Sequence, residues 1–118
     1  MLLVDDERVI RAYLKDVLKA KGIRTIEAEN AAQAFKIIRE LDGKVDCVIS
    51  DILMPGDMSG LDLAYAIRNS FPAVPVILIS GFCEKEEEEE IIKSGFPFLR
   101  KPFTAAAILR AVRPYLTD

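Results

Sequence analysis

Residues 2–7 read LLVDDE, three apolar residues running straight into two aspartates and a glutamate. The apolar run has the length of a short buried strand, and the acids mark where it leaves the core. Neighbouring carboxylates repel, and burying either is costly unless something compensates. On this stretch alone two readings stand. Asp5 and Asp6 can sit in a solvated loop that caps the next helix, or they can be kept together to hold a cation.

Moving outward, the same pattern repeats. MLLV (1–4) is followed by Val9, Ile10, Tyr13, Leu14, Val17 and Leu18, a three-and-four spacing that predicts one helical face, stopped by Gly22. RTIEA (24–28) predicts a second strand. Asn30, with Gln33 three residues later, predicts a capping box opening a helix with Ala34, Phe35, Ile38 and Leu41 inward. DCVIS (46–50) predicts a third strand and Ser59 the cap of a helix carrying Leu63, Ala64 and Ile67. VPVILIS (74–80) is the most apolar strand and is expected to be central. A glutamate-rich helix follows to about Ser94 and Gly95, then a short strand FPFL (96–99). Thr104 caps a last helix with Ile108, Leu109 and Val112 inward, which Pro114 ends or kinks. Five strands alternating with five helices imply an α/β fold, a parallel sheet with helices on both faces. The crevice of such a sheet lies at the carboxyl ends of its strands.

The 118 residues suffice for one domain, 1–118, with one real core; 51% hydrophobic and 30% charged residues fit a folded chain. A net charge of −3 gives no support for direct nucleic-acid binding. No apolar run is long enough for a membrane span and no signal segment opens the chain. Cys47 and Cys83 lack metal-type spacing, so a reduced, cytoplasmic setting is the simplest expectation. Histidine is absent, which disfavours zinc sites and histidine triads.

Polar residues follow four of the five strands: Asp5 and Asp6 after the first, Asp51 after the third, Ser80 and Gly81 after the fourth, Lys101 and Pro102 after the fifth. Singly, Asp51 also reads as a loop acid, Ser80 as a turn residue and Lys101 as a solvated lysine. Together they set three carboxylates against one ammonium on a single sheet edge. The surplus negative charge and the all-oxygen donors suit magnesium.

With these residues placed, VDDE, SDILMP, LISG and LRKPF, each at a strand end, make the chain resemble a response-regulator receiver domain of two-component signalling over essentially its whole length. The resemblance implies a flavodoxin-like doubly wound sheet of strand order 2-1-3-4-5. It implies that Asp51 accepts a phosphoryl group from a phosphohistidine on a sensor histidine kinase or histidine phosphotransfer domain. It implies that Asp6, Asp51 and the backbone carbonyl of Leu53 bind magnesium directly, with Asp5 acting through a metal-bound water. Lys101 and Ser80 would meet phosphoryl oxygens. Ser80 and Phe98 would be the switch pair, moving the face formed by helix 4, strand 5 and helix 5. Phe98 on its own also reads as plain packing. A cis bond before Pro102 is expected from the same source, and a homodimer is compatible with it. Leu53 and Phe82, both apolar, would flank the path of a hydrolytic water, which implies slow self-dephosphorylation.

The chain departs from the family pattern in MPGDMSG (54–60), one residue longer than usual after the acceptor, and in Gly95–Lys101, one shorter. Both resemble receivers of hybrid histidine kinases or stand-alone receivers. EKEEEEE (84–90) places five glutamates in succession at 86–90, more than one helical turn, which predicts a helix loosely held in its first turns. Lys85–Glu89 and Glu89–Lys93 are candidate ion pairs along it. A phosphatase of the haloacid dehalogenase type uses similar residues, but it needs an acid two residues after the nucleophile, where this chain has Leu53. A degenerate receiver acting only as a binding module is the third reading, and the complete residue set argues against it.

Overall fold

A computed structural model describes residues 1–54, 56, 58–81 and 85–116. Phe82, Cys83 and Glu84 lie outside the described residues, as do Pro55 and Asp57 of the longer turn. The chain order is β1 (Leu2–Val4), α1 (Arg8–Lys19), β2 (Ile26–Ala28), α2 (Ala31–Glu40), β3 (Val48–Asp51), α3 (Gly60–Ser70), β4 (Val76–Ser80), α4 (Lys85–Ser94), β5 (Phe98–Arg100) and α5 (Ala105–Val112). All strand pairings are parallel, in the order β2-β1-β3-β4-β5. This is the flavodoxin-like arrangement expected above.

The three central strands β1, β3 and β4 are buried on both faces, so their apolar residues run on without polar alternation, whereas the edge strands β2 and β5 are partly exposed. Leu2, Val4, Val48, Val76 and Leu78 face one core layer with Ala34, Ile38, Leu63, Ala64 and Ile67. Leu3, Ile49, Ile77 and Ile79 face the other with Leu14, Leu18, Ile108 and Val112. All five residues of β4 are buried, as the apolarity of that strand predicts.

Asn30 accepts from the Gln33 amide at 2.8 Å, yet the Gln33 side chain returns its bond to the amide of Glu29 and not to that of Asn30. The reciprocal capping box is complete instead at Ser59 and Asp62. Thr104 caps α5 as expected, and a short 3-10 turn, Arg113–Tyr115, follows where Pro114 stands.

The inward face of α1 differs from the sequence expectation. It runs through Arg11, Leu14 and Leu18, while Val9 is 77% exposed and Tyr13 41%. At 100° per residue, Val9 falls opposite Leu18, so a purely apolar reading rotates the face away from the residue that leads it, a charged one. In α4 only Ile91 is buried among the described residues. Among the described residues, Glu88 of this helix pairs with Arg100 of β5. Its carboxyl-terminal end is held by Arg68 of α3, whose guanidinium donates to the Ser94 carbonyl at 2.7 Å and lies 3.8 Å from the ring centroid of Phe96. A cation at a helix carboxyl terminus is electrostatically favourable.

Candidate functional site

β1 and β3 are neighbours in the sheet, with Val4 level with Ser50. That register carries Asp5 and Asp51 past the ladder side by side. Asp5 is fully buried, and its polar atoms are spoken for with one exception. Its amide donates to the Ala28 carbonyl at 3.2 Å, its Oδ1 accepts from the Glu7 amide at 2.8 Å, and its carbonyl accepts from Arg11 Nη1 at 2.6 Å. Its Oδ2 has no hydrogen-bond partner. Asp6 is exposed, and Asp5, Asp6 and Asp51 each offer a carboxylate oxygen within 4.8 Å of the others.

Lys101 Nζ reaches Asp51 Oδ2 at 3.3 Å and stands 3.9 Å from Asp5 Oδ2, near enough for Coulombic attraction but not for a hydrogen bond. The backbone fixes this lysine: its amide donates to the Ser80 carbonyl at 2.8 Å, and the following peptide to Pro102 is cis, as expected. Gly81 lies beside it, where a β-carbon would make ordinary van der Waals contact with the lysine Cδ at 3.7 Å. Ser80 is buried at the end of β4, its hydroxyl donating to the Gly81 carbonyl at 3.3 Å.

Burial pushes the Asp5 carboxyl up to about 6, and the charge of Asp51 adds to this against the pull of the Glu7 amide and Lys101. Burial likewise raises Asp51, opposed by Lys101 and by the amides of Leu53 and Ile52. One ammonium does not offset the cost of three gathered carboxylates. A buried carboxylate oxygen without a partner, two further carboxylates within reach and hard oxygen donors throughout fit a divalent cation such as magnesium.

The expected site residues thus fall at one edge: Asp5, Asp6, Asp51, Ser80 and Lys101 all follow or end parallel strands. Leu53 lies just beyond Asp51 with its side chain 59% exposed. Phe98 stands on the edge strand β5, half-buried against the α2–α3 core layer, with the Arg100 guanidinium 6.0 Å from its ring centroid. The sequence reading missed two residues. Arg11, on the inward face of α1, binds the Asp5 carbonyl. Gly60 brings the start of α3 against the Asp51 carbonyl. The available signal for Arg11 was its place three and seven residues before Leu14 and Leu18.

The family model described as the response regulator receiver domain matches residues 1–113. The chain is 33% identical over 117 residues to the sensor kinase CckA of Brucella abortus, covering 98% of this chain and 12% of that protein. It is 39% identical over 105 residues to a putative NtrX-like response regulator of Rickettsia bellii, covering 87% of this chain and 22% of that protein. The chain therefore spans less than a quarter of the length of either relative. Among solved structures, a response regulator receiver domain protein from Clostridium thermocellum superposes with a TM-score of 0.88 at 30% identity, covering 97% of this chain and 90% of that one.

Proposed function

The chain belongs to the response regulator receiver family, whose members are phosphoacceptors in two-component signalling, and we propose that its acceptor is Asp51. The observation that carries this is the pairing of Asp51 Oδ2 with Lys101 Nζ at 3.3 Å, beside two further carboxylates and facing the carboxyl end of β4. An Asp51 carboxylate oxygen attacks the phosphorus of a phosphohistidine on a sensor histidine kinase or phosphotransfer domain. The phosphorus–nitrogen bond breaks, and the imidazole leaves with the electron pair and takes up a proton.

Asp6, Asp51 and the Leu53 carbonyl would hold magnesium directly, with Asp5 behind a bound water; the ion's chemistry is charge neutralisation on phosphoryl oxygens. Lys101 turns from Asp51 toward a phosphoryl oxygen, and Ser80 exchanges its 3.3 Å bond to Gly81 for another. Ser80 and Phe98 then carry the change to the face of α4, β5 and α5. The protein is a switch and not a turnover enzyme, working in the cytoplasm without contacting nucleic acid or membrane itself. Leu53 can donate no side-chain hydrogen bond to an in-line water, which favours a long-lived acyl phosphate.

Asp51→Asn tests the reading, because the change is nearly isosteric. With a small acyl-phosphate donor and magnesium, the parent should gain an acid-stable, base-labile label, and Asp51→Asn none. A label of equal yield on the variant would place the acceptor elsewhere. Steady turnover of a phosphomonoester by the parent would favour a phosphatase.

A further inference from the structure

The peptide that joins Asp5 to Asp6 is a rigid plane. Whatever fixes the Asp5 carbonyl also fixes the direction in which the backbone leaves toward Asp6. That carbonyl lies beyond the β1 ladder, which ends at the Val4 pairings. Its partner is Arg11 Nη1, at 2.6 Å in a buried contact. The same guanidinium donates through Nε to Glu27 Oε1 of β2 at 3.2 Å, and Lys15 stands 3.9 Å from the other Glu27 oxygen. A single planar fork thus ties α1, the end of β1 and the neighbouring strand together. Glu27 offsets part of the positive charge that Arg11 and Lys15 bring to this edge.

The contacts of Asp5 are divided accordingly. Arg11 holds its carbonyl and the Glu7 amide holds Oδ1, which leaves Oδ2 without a hydrogen bond, 3.9 Å from Lys101 Nζ. We propose that Arg11, braced by Glu27, is a positioning residue for the divalent-cation site, setting the orientation of the Asp5–Asp6 peptide and so the aim of both carboxylates. The inference rests on the reading of Asp5, Asp6 and Asp51 as that site. It assigns Arg11 no contact with the phosphoryl group.

The test is magnesium affinity, measured by titration calorimetry on the full chain, beside metal-free melting temperature. Arg11→Ala should weaken magnesium binding by about tenfold, the scale on which outer-shell partners act. Arg11→Lys keeps the charge but lacks the fork, and Glu27→Gln keeps the shape but lacks the brace. Both should lose less than Arg11→Ala, and either carries the test if Arg11→Ala fails to fold. Ile108→Val, a buried change in the core layer that α1 and α5 share, serves as a destabilised control and should bind magnesium as the parent does. Arg11 variants that bind like the parent, while Asp6→Ala does not, overturn the positioning role and leave the site standing. So does an affinity loss in Ile108→Val equal to that in Arg11→Lys at matched stability. If Asp6→Ala itself binds magnesium like the parent, the site reading falls and this inference with it.

Discussion

Gly60 and Asp51 touch through their backbones: a β-carbon added at Gly60 would lie 1.9 Å from the Asp51 carbonyl oxygen and 2.8 Å from Cα of Ile52. The Gly60 amide also donates to the Ile52 carbonyl at 2.8 Å. The start of α3 is therefore seated on the strand end that presents the proposed acceptor. Gly60→Ala forces backbone apart where nothing flexible can yield. It should cost about 3 kcal/mol or more and displace Asp51 relative to Lys101. Denaturant unfolding checks the first effect. A stability within about 1 kcal/mol of the parent would show that the close approach relaxes easily.

Asp5 makes the metal-free protein sensitive to pH. Its carboxyl titrates near 6 when folded against an ordinary value of 3.8, so the folded state binds its proton more tightly than the unfolded chain does. The destabilisation is present in full above pH 6 and is relieved as pH falls from about 6 toward 4, in the same direction as the raised Asp51. Asp5→Asn should raise metal-free stability at pH 7.5 by about 1–3 kcal/mol and flatten the dependence between pH 7 and 5. Equilibrium unfolding at several pH values decides this. A variant less stable than the parent at pH 7.5 would contradict it.

The first turns of α4 should exchange their amides quickly. Glu86, Glu87, Glu89 and Glu90 are exposed, and Ile91 is the helix's buried residue, whereas α1 buries Arg11, Leu14 and Leu18. Few buried contacts mean low local stability. Hydrogen exchange by mass spectrometry should show residues 85–90 losing protection well before residues 8–19. Matching protection in the two segments would refute the loose-helix reading.

The sheet and its acidic edge were legible because each strand is a short apolar run ending in a polar residue of definite chemistry, as in LLVDD and VILIS. A parallel sheet needs little more to bring those ends together. Arg11 was not legible, because an arginine between apolar residues reads as solvated unless its carbonyl partner is known. The same blindness turned α1 toward Val9 and Tyr13. Gly60 was hidden for a different reason: a glycine after Ser59 suits a helix start by itself, and only the packed backbone reveals what a side chain would strike. The Glu88–Arg100 pair crosses from α4 to β5, where the spacing rule for helical pairs sees only neighbours along one helix.

Arg68 clamps one end of α4, and the clamp turns that helix into a lever. Ten residues make a rod of about 15 Å, with its fulcrum at Ser94 and Phe96 and its free tip at Lys85, in the chain segment that continues from β4. Rotation by about 10° at the fulcrum sweeps the tip through about 3 Å at that rod length, while the fulcrum scarcely shifts. Glu88 and Arg100 act as the catch partway along the arm. In the proposed switch, motion near the acceptor would reach the surface as an angular displacement, greatest where the glutamates are densest.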